Sequence, residues 1–255
     1  MSMKQSFAFR ARARQAGFTL VEMMIALTVG LFLCLGFTVA FVNMKGAFVG
    51  QGNMTQLQDN ERLAMTILTA SVQEAGFFPN PLTDTAQTTT LLAPINDSTY
   101  GNMAQGQAIM GTDAASGNPV TLSTRYAAGT SDSLLNCVGG NVSSASASGF
   151  VRNVFYVDPT TNSLGCIYTT DGSTWNKDSG KPFALISNVT AMSVLYGVDS
   201  DSDGNIDKYL TAGSVTSGAL WPSVKAARIT LTFINPNDST KPISWTQTIN
   251  LMNNK

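Results

Sequence analysis

The residues best suited to chemistry in this sequence form one acidic cluster near its C-terminal end. The candidate ligands are Asp199, Asp201, Asp203, Asn205 and Asp207, with Gly204 among them, in the pattern D-x-D-x-D-G-x-x-D. Oxygen ligands at alternate positions, with a glycine for the sharp turn, make up half of a calcium-binding EF-hand loop. The twelfth position is Leu210 instead of the bidentate glutamate, which excludes a complete EF-hand. The cluster predicts a looser oxygen cage for Ca²⁺, with a solvated hairpin turn as the alternative.

The sequence lacks the side chains on which many hydrolytic and zinc-dependent enzymes depend. It contains no histidine, which removes Ser-His-Asp and Cys-His catalysis and the commonest zinc sites. No motif pairs a nucleophile with a base, and no glycine-rich phosphate-binding loop occurs. We therefore predict that the chain is not an enzyme, and that its one candidate cofactor is the Ca²⁺ of the acidic cluster.

The three cysteines divide into one within an apolar stretch and two in the region that follows it. Cys34 lies among apolar residues, where a thiol behaves as a small hydrophobe. Cys137 and Cys166 flank strand-like segments on either side of a Ser/Gly/Ala-rich loop at residues 139–149, whose composition indicates flexibility. Two cysteines in an exported domain predict one disulfide, Cys137–Cys166.

The element that must position these residues begins with a long apolar stretch at residues 18–42. Its 25 residues include a single charge, Glu22. At 1.5 Å per residue, a helix of this length covers roughly 37 Å, more than the hydrocarbon core of a bilayer at about 30 Å. The stretch therefore predicts a transmembrane helix. A carboxylate inside it costs roughly 2–4 kcal/mol unless a partner pairs with it.

A basic segment precedes the apolar stretch and indicates its orientation. It contains Lys4, Arg10, Arg12 and Arg14 and no acidic residue, which is typical of a flank that stays in the cytoplasm. The small residue Gly17 stands before the apolar run, whereas a secretory signal peptide has its cleavage site after it. We expect a single-pass membrane protein whose C-terminal domain lies on the side opposite the cytoplasm.

The charge that remains beyond residue 17 argues against nucleic-acid binding. The basic segment before Gly17 accounts for four of the 15 basic residues and none of the 16 acidic ones. Beyond it, 11 basic and 16 acidic residues remain. A surface that tracks phosphates needs clustered lysine and arginine. No basic patch is visible, and we expect no nucleic-acid partner.

The helix is predicted to continue beyond the membrane. Residues 43–75 contain no proline, and their apolar positions recur at spacings of three, four or seven. Gly76, Pro79 and Pro81 then form a stop signal. One helix of about 58 residues results, roughly 87 Å long. The alternative is a pair of helices broken near residues 46–52.

The rest of the chain predicts an antiparallel sheet packed on the amphipathic part of this helix, which is an α+β fold. The strand candidates are the period-two runs at residues 120–126, 150–157, 164–169, 184–196, 224–234 and 243–251. Residues 82–116 show no firm periodicity and are predicted to be a loop with at most a short element. The length suits one globular domain of ordinary size.

The N-terminal motif GFTLVE at residues 17–22 resembles the class III signal of type IV pilins and type II secretion pseudopilins. The resemblance implies that a prepilin peptidase cuts after Gly17 and methylates the new N-terminal Phe18. It also implies that Glu22 acts in filament assembly. The expected parts are a cleaved leader at residues 1–17, a transmembrane half-helix at 18–42, an amphipathic half-helix at 43–78 and a globular pilin domain at 79–255.

Two later segments narrow the resemblance to PilW-type minor pilins. These are LQDNERLAMTILTASVQEAGFF at the helix end and LISNVTAMSVLYGVDSDSDGNIDKYL followed by VKAARITLTF, whereas residues 82–116 match nothing in the family pattern. The resemblance implies a minor pilin that primes pilus assembly and sits near the filament tip at the cell surface. Its implied partners are other minor pilins, the major pilin, membrane lipid and the inner-membrane assembly platform. A J-type pseudopilin of type II secretion and a pilus-associated adhesin are the alternatives.

Overall fold

The computed structural model of the chain describes residues 17–79, 92–115, 118–127, 134–141 and 149–253. The chain divides into two units, Met1–Gln51 and Gly52–Lys255. The basic leader residues Lys4, Arg10, Arg12 and Arg14 lie outside the described residues, as does Pro81 of the predicted stop. So do most of the predicted flexible loop at 139–149 and residues 82–91 and 116 of the loop predicted at 82–116. The boundary predicted between residues 42 and 43, where the helix leaves the membrane, stays a prediction.

A single helix, α1 (Leu20–Glu74), runs through both units. It continues through Gly46 and Gly52, so the alternative of two separate helices is wrong. The predicted stop is confirmed: Gly76 adopts a φ of 81°, the left-handed conformation that glycine provides just after a helix. In the second unit α1 buries one stripe, with spacings of mostly three and four, formed by Leu57, Glu61, Ala64, Met65, Leu68, Ser71 and Val72.

The first sheet, here called the N-terminal sheet, contains five strands in the order of the chain. They are β1 (Ile109–Thr112), β2 (Thr121–Ala127), β3 (Phe150–Asp158), β4 (Ser163–Thr169) and β5 (Phe183–Ser187). Every neighbouring pair is antiparallel. β1 is the short element within the segment predicted to be mainly loop, and β2, β3 and β4 agree with predicted strands to within one residue.

The second sheet, here called the C-terminal sheet, contains four strands in the order β7-β6-β8-β9. They are β6 (Val189–Val198), β7 (Lys208–Leu210), β8 (Val224–Phe233) and β9 (Ile243–Asn250). A short helix, α2 (Ala212–Ser217), and a 3₁₀ turn at Trp221–Ser223 connect β7 to β8. The expected α+β architecture with antiparallel strands is confirmed, but the strands form two sheets where one was predicted.

The prediction of one strand at residues 184–196 is wrong because the chain turns at Asn188. This residue has a φ of 63°, a left-handed conformation that asparagine tolerates better than other non-glycine residues. β5 ends one residue before it and β6 begins one residue after it, in different sheets. The apolar alternation continues on both sides, so periodicity alone gives no sign of the break.

The second half of α1 contacts both sheets. The Ser71 hydroxyl lies 2.7 Å from that of Thr124 in β2, and Gln247 in β9 donates a hydrogen bond to the Thr69 hydroxyl at 3.4 Å. β8 carries the predicted alternation, since its apolar residues Ile229, Leu231 and Phe233 are all buried. Each sheet has one apolar face. Both faces pack with the buried stripe of α1 and form the core of the second unit.

Candidate functional site

The start of α1 is closed by a reciprocal cap between Thr19 and Glu22. The Glu22 Oε2 atom accepts hydrogen bonds from the Thr19 backbone N–H and hydroxyl, both at 3.1 Å, and the Glu22 N–H donates to the Thr19 hydroxyl oxygen at 3.3 Å. The first N–H groups of any helix lack partners within the helix, and a T-x-x-E sequence supplies them. This capping box was readable from the sequence, but the composition of the apolar stretch alone does not reveal it.

Gly17 and Phe18 lie just outside the helix, on its N-terminal side. Both are exposed, and the Phe18 side chain is 88% accessible. α1 contains an 18-residue window with a mean hydropathy of 2.5, none of it buried, so the helix is long and apolar enough to cross a membrane. The bond after Gly17 therefore lies in a non-helical, exposed part of the chain, just before an apolar helix that begins at Leu20.

The Cys137–Cys166 disulfide is confirmed. It joins the segment at residues 134–141 to β4, with Cα atoms 6.3 Å apart and a sequence separation of 29 between the two cysteines. The Cys137 N–H also donates to the Asn153 side chain in β3 at 3.1 Å. Cys34 is a free thiol exposed on α1. The bridge therefore attaches an irregular segment to the N-terminal sheet.

The acidic turn (residues 199–207) connects β6 to β7. One carboxylate oxygen from each of Asp199, Asp201 and Asp207 lies within 4.8 Å of the other two, so these three residues could hold a metal ion. Gly204 has a φ of 91° and donates its N–H to Asp199 Oδ2 at 3.1 Å. That contact folds the chain back over Asp199. The glycine at the same position of an EF-hand loop likewise allows a sharp turn.

Asp203 and Asn205 form hydrogen bonds with each other. The sequence also marks both residues as candidate ligands. Asp203 Oδ1 accepts from the Asn205 backbone N–H at 2.7 Å, and Asp203 Oδ2 accepts from the Asn205 side-chain amide at 3.0 Å. These hydrogen bonds hold the pKa of Asp203 below its usual value. The structure thus groups three of the four candidate carboxylates and leaves the fourth in a local turn.

Asp199 is the buried member of the group. It is 3% exposed, whereas Asp201 and Asp207 are exposed. The Asp199 backbone N–H donates to the carbonyl of Ser223 at 3.0 Å, which ties this end of the turn to the 3₁₀ turn before β8. Its Oδ1 atom has no hydrogen-bond partner among the described residues. Sequence reasoning could not predict this burial, because it depends on packing against a segment 24 positions away.

Two buried arginines, which the sequence did not single out, organise the segment before β1. Arg125 donates to the carbonyls of Ala104 and Gln107, each at 2.8 Å. Arg152 pairs with Asp97 at 3.5 Å and donates to the carbonyl of Gly101 at 3.0 Å. Burial lowers the pKa of each arginine to about 10, still well above neutral pH. The two charges therefore hold an irregular segment by its carbonyl groups.

A groove of about 710 Å³ lies between the second half of α1 and β9. Glu61 and Met65 line it from the helix, and Trp245, half exposed, lines it from the strand. Glu61 is 5% exposed, and its Oε1 atom has no hydrogen-bond partner among the described residues. A signal was present in the sequence, since Glu61 falls four residues after Leu57 on the apolar stripe.

Two family models match this chain, one at each end. Residues 154–255 match the family described as Type IV Pilus-assembly protein W, and residues 12–38 match the prokaryotic N-terminal methylation motif. The first match includes the acidic turn and the whole C-terminal sheet, and the second includes Gly17, Phe18 and the Thr19–Glu22 cap. No curated protein matches the chain. With both matches on one chain, the protein is similar to type IV pilus-associated pilins of the PilW family.

Proposed function

We propose that the chain is a minor pilin that primes assembly of the type IV pilus and is incorporated at or near the filament tip. One observation carries the proposal: the Thr19–Glu22 cap begins a membrane-length apolar helix directly after Gly17 and Phe18. The description of the matched family, a pilus-assembly protein, supports a role in assembly. This role is structural, and it needs no catalytic group.

Processing at the N-terminus is the first step of the proposed function. The prepilin peptidase cuts after Gly17 and methylates the amine of Phe18. Three features support this step: the match to the methylation motif, the exposure of both residues and their position before the first helical residue. Cutting there removes the basic leader and leaves a mature chain that begins two residues before α1.

The processed chain remains in the inner membrane before assembly, with its C-terminal domain in the periplasm. Apolar side chains such as Leu27, Leu31 and Phe37 are exposed along the first part of α1. Exposed apolar surface of this length is stable in lipid or against other apolar helices. The proposed partners are therefore membrane lipid, then the assembly platform, and finally the α1 helices of minor and major pilins at the cell surface.

Glu22 is proposed to guide docking into the filament. In the mature chain it is the fifth residue, close to the Phe18 amine, and a neighbouring subunit presents an amine at a similar depth. A carboxylate and an ammonium attract far more strongly in a low-dielectric environment than in water. Pairing the two charges offsets the desolvation that either would suffer alone. Docking thus satisfies a charge that the bilayer leaves unpaired.

Deletion of the gene tests this function against the pseudopilin alternative. We expect the deletion strain to lose most surface pili, counted by electron microscopy, while secreted enzymes in the culture medium stay at wild-type levels. Restoring the intact gene should restore the pili. Normal pili with lost secretion would contradict the proposal and identify a J-type pseudopilin.

Immunogold labelling tests the position in the filament. In the complemented strain, antibodies to the C-terminal domain should label filament ends, because a subunit that primes assembly enters first. Labelling spread evenly along the filaments would contradict a tip position while leaving pilus membership intact. Binding of the purified chain to a surface or glycan, without any effect of deletion on pilus number, would instead support the adhesin alternative.

A further inference from the structure

We propose that the acidic turn binds one Ca²⁺ ion, with Asp199, Asp201 and Asp207 as its carboxylate ligands. The inference does not depend on the proposed role in pilus assembly. It rests on two independent features of the turn: the convergence of three carboxylates and a buried carboxylate oxygen that lacks a partner.

The convergence has the dimensions of a calcium site. The three carboxylate oxygens lie within 4.8 Å of one another. Calcium binds oxygen at about 2.3–2.6 Å, so two ligands of one ion stand at most about 5 Å apart. Three carboxylates at this spacing repel one another, and a divalent cation between them reverses the sign of that interaction.

The buried oxygen is the second feature. Asp199 is 3% exposed, and its Oδ2 atom accepts a hydrogen bond from the Gly204 N–H at 3.1 Å. Oδ1 is left without a hydrogen bond among the described residues, although nearly all buried polar atoms in proteins have a partner. A cation bound by the group would give this oxygen the partner that the protein does not supply.

The donor set favours calcium over magnesium. All three side chains offer hard oxygen ligands, and Asp201 and Asp207 are exposed, so water can complete six to eight coordination positions. Magnesium requires near-ideal octahedral geometry and retains its own waters. Because Leu210 replaces the bidentate glutamate, the affinity should be at the weak end for such loops, with a Kd of about 10⁻⁴–10⁻³ M.

Binding would fasten the turn to the C-terminal sheet. Asp207 accepts the Ser200 N–H at 2.7 Å and donates its own N–H to the carbonyl of Val198 at 3.0 Å, while Asp199 donates to Ser223. Two of the ligands, Asp199 and Asp207, therefore directly follow β6 and directly precede β7, and Asp199 is also bonded to the 3₁₀ turn before β8. An ion that binds this arrangement stabilises the native state by mass action.

The test is calcium titration of the full chain in detergent micelles, by calorimetry and by thermal unfolding. We expect heat of binding and a rise in Tm with Ca²⁺, a smaller rise with Mg²⁺, and reversal by a chelator. No heat and an unchanged Tm at millimolar Ca²⁺ would overturn the proposal. An equal response to both ions would overturn the assignment to calcium.

Variants identify the ligands. Asp201→Asn removes an exposed ligand without disturbing the core, and it should raise the Kd by at least about tenfold, since affinity follows the number of ligand charges. Asp203→Asn removes the same charge from the same turn, and Asp238→Asn removes it from a partly exposed carboxylate beyond β8. Both should bind Ca²⁺ like the unaltered chain. If either weakens binding as much as Asp201→Asn, the three-ligand site is wrong.

Discussion

The Glu22 carboxylate closes the first turn of α1 by accepting hydrogen bonds from the backbone N–H and the hydroxyl of Thr19, both at 3.1 Å. This cap gives Glu22 a local purpose that needs no second subunit. The proposed assembly role needs the negative charge, whereas a capping box works with either glutamate or glutamine. The two roles can therefore be separated by substitution.

Glu22→Gln should insert into the membrane normally but enter pili poorly, because it retains the cap and loses the charge. Thr19→Ala should enter pili normally, because it keeps the charge of Glu22. It loses the cap, at a cost of about 0.5–2 kcal/mol in helix stability. Immunoblots of membrane and sheared-pilus fractions compare the two variants. Normal incorporation of Glu22→Gln would show that Glu22 serves the cap and not subunit pairing.

Gly17→Arg should block processing, since a bulky charged side chain replaces the smallest residue beside the proposed scissile bond. The precursor should then accumulate in the inner membrane with its leader attached, as intact-mass measurement would show. Gly30→Ala is the matched control, because a Cβ at Gly30 contacts nothing within 4 Å. Removal of the leader from Gly17→Arg at the normal rate would contradict the cleavage position.

Cys137→Ser should lower the free energy of unfolding of the second unit. The bridge closes a loop between cysteines with a sequence separation of 29, and on the loop-entropy model its loss costs roughly 3–4 kcal/mol. Urea unfolding of the full chain in detergent, with and without reductant, measures the effect. Reductant should destabilise the unaltered chain and the Cys34→Ser control but not Cys137→Ser. Equal stability of all three proteins would show that the bridge contributes little.

Glu61→Gln should stabilise the chain at neutral pH. Burial raises the pKa of Glu61 above its ordinary value of 4.5, so the folded state holds this proton more tightly than the unfolded state does. Stability is therefore highest below the unfolded pKa and falls as pH rises through the folded pKa. The gain from the substitution should be present at pH 7 and absent near pH 4.

Unfolding in urea at the two pH values measures this gain. Asp59→Asn is the control, because Asp59 lies on the same helix, two residues earlier, and is exposed. It should change stability little at either pH. An equal effect of Glu61→Gln at both pH values would contradict the linkage argument.

The helix and most strands could be predicted because their signals are local. The apolar stretch, the stop at Gly76 and the alternation around Ile229 each follow from residues close together in sequence. The division into two sheets could not be predicted, since it depends on the conformation of Asn188 within a continuous apolar alternation. Nor could the burial of Arg152, because its partners, Asp97 and the carbonyls of Tyr100 and Gly101, lie about 50 positions earlier in the chain.

The candidate site was predicted in composition but not in geometry. The spacing of the aspartates marked the acidic turn, yet the pairing of Asp203 with Asn205 and the burial of Asp199 both depend on the folded hairpin. At the N-terminus the reverse holds. The Thr19–Glu22 cap is encoded in four consecutive residues, as a T-x-x-E sequence at the start of the apolar stretch.

The chain passes from one sheet to the other once, at Asn188, and this order bears on how the domain is made. All strands of the N-terminal sheet precede all those of the C-terminal sheet, and β1 to β5 pair in strict succession. Contacts between neighbours in sequence form fastest, because little loop entropy is lost. A chain that emerges from its N-terminal end can therefore complete the first sheet before β6 exists. The last 67 residues, from Val189 onward, then need only pack on a surface that is already folded.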